Sequence, residues 1–398
     1  MREHILQYNA WLSTLKTLSD DKKRKLVVVK IGTNSLTHED GRLDLSEVRR
    51  LVDQVAEATR KGFRVLLVSS GAVASGMAEL DVKFNPSDIV FKQACAAVGQ
   101  SILMAHYRGL FKEHGLKVAQ ILLTKEDLSN RTAYLHTYNV LDRLLQLDVV
   151  PIINENDVTS IDELRPNTKG YEANFSDNDI LSVLIANAVR ADLIVLLSNV
   201  DGLYDRNPKE PEAKLVPTVE KITPELKKAV SGKSPLGRGG MRTKIQAAEI
   251  ATRSGIPVVI GNSFSQRILL DLLENKPVGT RFMVVDKMPG LKAWIAYGAS
   301  SKGQIAVNEG AEEAIVNGSS LLPIGIEDVS GSFDTGDVVS LVDKNGKKFG
   351  RGITNYSSDE IKAIKGMQTT QVMKILGCMR QKEVVSRKHF HLFEEKRE

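Results

Sequence analysis

Leu26-Val-Val-Val-Lys-Ile31 sets the fold. Five of its six residues are apolar, three of them consecutive valines, and the run is too short for a helix with a buried face. A strand apolar on both sides belongs inside a parallel sheet covered by helices. The next segment fits that reading: within residues 46–61, Val48, Leu51, Val52 and Val55 fall at the i, i+3, i+4 and i+7 positions of one helix face. The alternation then repeats. Residues 63–68 read as a strand before a helical region ending near His114, and 117–123 as a strand before a helix to Leu147. Residues 149–153, 193–197 and 257–260 read as three more strands with helices between them. The expectation is an α/β domain, a mostly parallel sheet sandwiched by helices.

Ligands of such sheets bind beyond the carboxyl ends of the strands. Here those ends read Lys30-Ile-Gly-Thr-Asn-Ser35, Ser69-Ser-Gly-Ala72, Asn154-Glu-Asn-Asp157, Ser198-Asn-Val-Asp-Gly202 and Gly261-Asn-Ser263. Loops are polar anyway, but small and charged groups at five strand ends favour a binding rim.

The chain has 398 residues, 42% hydrophobic and 26% charged, enough for two to three domains of ordinary globular composition. No apolar run approaches the ~20 residues of a bilayer span, and the charged N-terminus lacks the continuous apolar stretch of a secretory signal. The two cysteines, Cys95 and Cys378, form no metal or redox spacing. A reducing, cytoplasmic setting is expected. Membrane, collagen-like, disulfide-scaffold and largely disordered classes are excluded. Of 54 Lys/Arg and 49 Asp/Glu, nine and four lie from Lys362 onward, so the net charge of +5 is local and the remaining 45 of each sign balance. A basic surface along the whole chain for nucleic acid is not implied.

Around residues 285–291 the pattern changes. Beyond them come short strands punctuated by glycine, from Gly303 and Gly310 to Gly350 and Gly352, which read as a small β-rich, barrel-like domain ending near Gly366. The expected organisation is an N-terminal extension over 1–25, a first domain over 26–288, the β-rich domain over 289–378 and a solvated charged tail over 379–398. In the extension, the spacing of Ile5, Tyr8, Leu12 and Leu15 predicts one face of a short helix.

Three places carry polar groups that packing does not require. Lys30 interrupts an apolar strand just before Gly32, where its ammonium can reach a phosphate at the rim or simply extend to solvent. Gly239-Gly-Met-Arg-Thr-Lys244 opens a helix running to about Arg253. Arg242 and Lys244 in its first turns oppose the helix dipole. An anion bound there reverses that sign, because amide N–H groups, dipole and cations converge on it; solvated cations at an exposed helix start are the alternative. Ser176-Asp-Asn-Asp179 precedes an apolar helix over 180–189 and resembles a capping box. That accounts for Ser176 and Asp179 but not for Asp177 and Asn178, which with Asn154 and Asp157 suggest a site for an ammonium group or magnesium. There is no Walker loop: before Gly232-Lys-Ser234 the required glycine is Lys227. The seven histidines show ligand-like spacing only at His389-Phe-His391, in the charged tail, so no protein-held metal is expected.

At these residues the sequence resembles the amino-acid kinase family, and within it the members that phosphorylate glutamate. The matching stretches are Val28-Val-Lys-Ile-Gly-Thr33, Ser69-Ser-Gly-Ala-Val-Ala74, Ile153-Asn-Glu-Asn-Asp157, Ser176-Asp-Asn-Asp179, Val200-Asp-Gly-Leu-Tyr204 and Gly239-Gly-Met-Arg-Thr-Lys244. Asn308-Glu-Gly310, Ser319-Ser-Leu-Leu-Pro323 and Gly336-Asp-Val338 resemble a PUA domain. The resemblance runs from about Leu26 to about Cys378.

It implies an amino-acid kinase fold with a C-terminal PUA-like domain, and transfer of the γ-phosphoryl group of ATP, with Mg²⁺, to the side-chain carboxylate of L-glutamate, the first step of proline biosynthesis. It implies phosphate-stabilising roles for Lys30 and Lys244, both oriented by Asp179. Ser70, Asn154, Asp157 and Asn178 hold glutamate; Ser198, Asn199, Gly239, Gly240, Met241, Arg242, Thr243 and Lys244 lie along ATP. A homo-oligomer is expected, with proline a feedback inhibitor in such proteins. Asn199 stands where relatives usually carry Asp, and Ser176 where they usually carry Gly. The chemistry agrees with the residues present, because a carboxylate ionised at neutral pH needs no general base. Alternatives are another member of the family (acetylglutamate kinase, aspartokinase or uridylate kinase) and, from a different class, an RNA-binding PUA protein. The PUA-like region and Asn154-Glu-Asn-Asp157 stand against the first, the charge balance of residues 1–361 against the second.

Overall fold

In the computed structural model of the chain, β1 (Leu26–Ile31) lies in the middle of an eight-stranded sheet. The residues described are 24–38, 42–82, 88–160, 178–230, 240–284, 288, 290–376 and 381–393. The other strands of this sheet are β2 (Arg64–Ser69), β3 (Lys117–Leu123), β4 (Val149–Glu155), β5 (Leu193–Ser198), β6 (Thr218–Val219), β7 (Val258–Asn262) and β8 (Thr280–Phe282). Their order is β3-β4-β2-β1-β5-β7-β8-β6, and every pairing is parallel except β7 with β8. The short wing of β6 and β8 was not foreseen from the sequence, and β4 and β5 run one to two residues past the expected ends, so Asn154 and Ser198 are strand residues.

The helices are α1 (Leu45–Arg60), α2 (Ala72–Glu79), α3 (Ile89–Glu113), α4 (Lys125–Ser129), α5 (Arg131–Gln146), α6 (Asn178–Val189), α7 (Pro224–Ala229), α8 (Met241–Arg253) and α9 (Ile268–Leu273). The stretch read as one helical region to His114 is two helices. Asp81 adopts a left-handed conformation (φ 51°) after α2, and the Asp88 carboxylate accepts from the Phe91 N–H to start α3. The stretch read as one helix to Leu147 is likewise divided at Asn130, whose side chain accepts from the N–H groups of Thr132 and Ala133.

Strand alternation sorts the core into two layers. Val27, Val29 and Ile31 pack with α1, α3 and α9. Leu26 and Val28 pack with α5, α6 and α8. Lys30 shares the parity of Leu26 and Val28, so it enters the layer that holds α6 and α8, which carry Asp179 and Lys244.

Beyond α10 (Gly290–Ala293) and a π-helical turn at Trp294–Gly298, a second sheet contains β9 (Gly303–Val307), β10 (Ile326–Gly331), β11 (Val338–Val342), β12 (Lys348–Thr354) and β13 (Val385–Leu392) in the order β10-β9-β11-β12-β13. The segment read as a solvated charged tail therefore contains the fifth strand, paired antiparallel with β12. The β-rich domain continues well past Gly366. Trp294 bridges the two domains: its indole N–H donates to the Leu128 carbonyl at 2.9 Å, its ring lies 5.7 Å from that of Tyr134, and it clusters with Val338 and Ile353. Among the described residues no helix is long and apolar enough to cross a membrane. The amphipathic extension, Cys378 and the proposed Ser176 cap lie outside the described residues.

Candidate active site

Asp179, in the first turn of α6, is fully buried between two lysines. Its Oδ1 lies 2.7 Å from Lys30 Nζ and its Oδ2 lies 3.0 Å from Lys244 Nζ. Burial alone would raise the Asp179 carboxyl, but the charges of Lys30 and Lys244 and their hydrogen bonds outweigh it and hold the group below the usual carboxylate range. The three charges sum to +1 where water is largely excluded, since Lys30 and Lys244 are themselves buried. A buried excess cation is costly unless an anion joins it. The Thr243 hydroxyl stands 3.1 Å from Asp179 Oδ2. Gly240 caps α8 in the left-handed conformation (φ 79°) and makes no side-chain cap bond, which leaves the first amide N–H groups of the helix as donors.

Beside this charged cluster sits a group of amides. Asn178 Nδ2 donates to Ser70 Oγ (2.9 Å) and to Asn154 Oδ1 (3.1 Å), while Asn154 Nδ2 donates to Gln100 Oε1 (3.0 Å). Both hydrogens of the Asn178 amide are thereby used, and its Oδ1 is buried with no hydrogen-bond partner among the described residues. Asp157, 6% exposed, makes no hydrogen bond or ion pair with the described residues, and burial pushes its carboxyl up to about 6. An orphaned acceptor and an unpaired carboxylate suit a donor cation, and an ammonium group is one.

The structure thus brings together Lys30, Lys244, Asp179 and Thr243, and separately Ser70, Asn154 and Asn178. It adds Gln100, which sequence reading missed because a glutamine within a long helix carries no periodic or compositional signal. On the other side of β1, Ser263 Oγ lies 2.8 Å from Ser35 Oγ and 2.9 Å from the Ser198 carbonyl, tying together the ends of β1, β5 and β7. Ser198 and Met241 are buried; Asn199 and Arg242 are exposed, and Arg242 makes no ion pair among the described residues. Gly239 lies outside the described residues. Also among the described residues, no three His, Cys, Asp or Glu side chains gather as a metal site.

A parallel α/β sheet with a buried lysine pair at its carboxyl rim is the frame of a small-molecule kinase. Residues 25–262 match the amino acid kinase family, and the chain belongs to that family, whose members are kinases drawing on ATP. Residues 303–376 match the PUA domain. The chain is 44% identical over 367 residues to a glutamate 5-kinase of Dehalococcoides mccartyi, spanning 91% of this chain and 97% of that protein. It is 42% identical over 372 residues to a glutamate 5-kinase of Thermoanaerobacter sp. (92% and 98%), and 43% over 380 residues to that of Methanosarcina acetivorans (92% and 96%). Among solved structures, the carbamate kinase of Giardia lamblia bound to AMP-PNP is 18% identical with a TM-score of 0.47, over 66% of this chain and 99% of that one.

Proposed function

We propose that this chain transfers the γ-phosphoryl group of ATP to the side-chain carboxylate of L-glutamate, giving L-glutamyl 5-phosphate, an acyl phosphate that opens proline biosynthesis. The observation that carries this reading is the buried Lys30–Asp179–Lys244 cluster placed one residue from Asn178, whose side-chain oxygen has no hydrogen-bond partner among the described residues. An anion-seeking site and a cation-seeking site are thus adjacent. Glutamate with ATP presents that pair of needs: phosphate and carboxylate at one end, an α-ammonium at the other.

The side-chain carboxylate of glutamate, pKa about 4.3, is already ionised at neutral pH, so no residue has to remove a proton. One of its oxygens forms the new bond to the γ-phosphorus while the bond to the bridging oxygen breaks, and ADP departs with that electron pair. The obstacle is repulsion between two anions. Lys30 and Lys244 offset it, and Asp179 fixes both ammoniums so that little reorganisation is needed as charge shifts. The start of α8 offers backbone donors to phosphate oxygens. Ser70, Asn178 and Asp157 hold the amino acid. Mg²⁺ bound with ATP supplies further neutralising charge, and an ion carried mainly by phosphate oxygens and water needs no protein cage of its own.

The test is acyl-phosphate trapping with hydroxylamine. L-glutamate with ATP and Mg²⁺ is expected to give a hydroxamate. Preference for N-acetylglutamate, aspartate or UMP would overturn the assignment.

A further inference from the structure

The proposed function leaves Gln100 without a role, although its side chain reaches the substrate group of amides. Its position is not accidental packing. Gln100 and Gln93 lie two helical turns apart on one face of α3, and each bonds the segment that ends β4: Gln100 Oε1 accepts from Asn154 Nδ2 at 3.0 Å, and Gln93 Nε2 donates to the Val158 carbonyl at 3.0 Å. Asn154 and Asp157 lie on that segment.

An amide has one accepting and one donating end, so a row of amides in contact must point the same way. With Gln100 offering its oxygen, Asn154 must turn Nδ2 toward it and Oδ1 toward Asn178. Asn178 must then turn Nδ2 toward Asn154, and its second N–H is taken by Ser70 Oγ. What is left over is Asn178 Oδ1, buried and without a hydrogen-bond partner among the described residues. Reversing the row would place the Asn178 NH₂ there instead. Of the polar groups on glutamate, both carboxylates are acceptors and only the α-ammonium donates, so only the observed orientation offers that ammonium a partner.

We propose that Gln100 is a positioning residue, which orients the Asn154 and Asn178 amides so that Asn178 Oδ1 receives the α-ammonium of the amino-acid substrate. This rests on the glutamate reading of the site. It makes Gln100 a determinant of selectivity for an α-amino dicarboxylate over the same dicarboxylate without its amino group.

The experiment measures the glutamate KM and the inhibition constant of glutarate, which keeps both carboxylates and lacks the ammonium, in wild type and in Gln100→Leu, Gln100→Met and Gln100→Glu. Hydrogen bonds to charged groups are typically worth a factor of roughly 10–150. Gln100→Leu and Gln100→Met are expected to raise the glutamate KM by about 10-fold or more, toward the glutarate constant, with kcat within about threefold. Gln100→Glu keeps an accepting oxygen against Asn154 and is expected to hold KM within about threefold of wild type. If Leu and Met variants keep the wild-type gap between glutamate and glutarate, or lose kcat at unchanged KM, the positioning role is wrong. If Gln100→Glu raises the glutamate KM as much as the Leu and Met variants do, it is wrong as well. A wild-type enzyme that forms no hydroxamate from glutamate would overturn the proposed function and this inference with it; one that forms it while ignoring the Gln100 substitutions overturns this inference alone.

Discussion

Gly99 of α3 lies against the Ala72 carbonyl of α2: a Cβ at Gly99 would stand 1.9 Å from that oxygen, and one at Gly76 would stand 1.8 Å from the Cys95 carbonyl oxygen. The two helices therefore meet backbone to backbone. Gln100, the residue after Gly99, and Ser70, which precedes the first turn of α2, then both join the group of amides, Gln100 through Asn154 and Ser70 through Asn178.

Gly99→Ala should accordingly act on stability and on the site together. The methyl group meets backbone rather than a movable side chain, and overpacking of this kind costs ~1–3 kcal/mol, partly offset by the ~1 kcal/mol that alanine gains over glycine in a helix. A fall in Tm of several degrees is expected, at ~2–4 °C per kcal/mol. Glutamate KM should rise more than kcat falls, because Gln100 moves with the helix. Calorimetry and steady-state kinetics on the one variant check both; a Tm at or above wild type would mean the helices part without cost.

Much of this was legible before folding because the residues concerned break a pattern. Lys30 stands out in a run of valines, and Arg242 and Lys244 at a helix start oppose its dipole, so both drew attention to the rim. The structure separates them: Lys244 is buried on Asp179 and Arg242 stays in solvent. Gln100 and the Gly76–Gly99 contact were not legible, since their meaning lies in what another helix presents across the gap. β13 was hidden for a different reason. It is half exposed: only Val385 and Phe390 are buried, five residues apart, and Arg387 and Lys388 are exposed between them, so the segment shows no apolar alternation. The divisions at Asp81 and Asn130 escaped because single polar residues inside apolar periodicity do not by themselves end a helix.

Asp157 sets a pH dependence. Burial raises its carboxyl to about 6, so the substrate-free protein holds that proton at lower pH, whereas an ammonium partner requires the carboxylate. Glutamate KM should rise about tenfold per pH unit below about 6 while kcat changes little. Stability follows the same sign. An acid raised in the folded state costs nothing well below its unfolded pKa of 3.8, and its cost grows with pH until it is complete above about 6. Asp157→Asn should therefore raise the Tm of the free protein at pH 8, abolish most of the stabilisation by glutamate, and lose its advantage toward pH 4. If excess Mg²⁺ restores activity to Asp157→Asn, the carboxylate is a metal ligand instead.

The linker predicts where the chain can be cut. Sequence alone placed a boundary at 288, but Trp294 donates to Leu128, and Tyr297 packs against the core that contains α6. Truncation after Met288 removes both. A large aromatic deleted from a core costs ~3–5 kcal/mol, so a chain ending at 288 should melt about 10 °C or more below one ending at 300. The longer form is expected to retain hydroxamate activity. Equal Tm values for the two would show that the Trp294 contact belongs to the small domain alone.

Substitution at the charged cluster separates stability from chemistry. Lys244→Ala leaves Lys30 paired with Asp179, a neutral couple, so the protein should fold normally. It removes a cation that matters most while the phosphoryl group is in transit, and one preorganised donor of this kind is typically worth ~10²–10³ in rate. kcat should fall by about that factor with little change in glutamate KM. Asp179→Ala does the reverse: two buried ammoniums are left without their shared carboxylate, and breaking a buried pair costs ~3–5 kcal/mol. Its Tm should drop steeply, and adding Lys244→Ala to it should recover part of the Tm while leaving kcat low. Thermal melts of the two single variants and the double variant, read beside their kinetics, test the arrangement. If Lys244→Ala keeps near-normal kcat, the lysine is structural and the phosphate lies elsewhere along the rim.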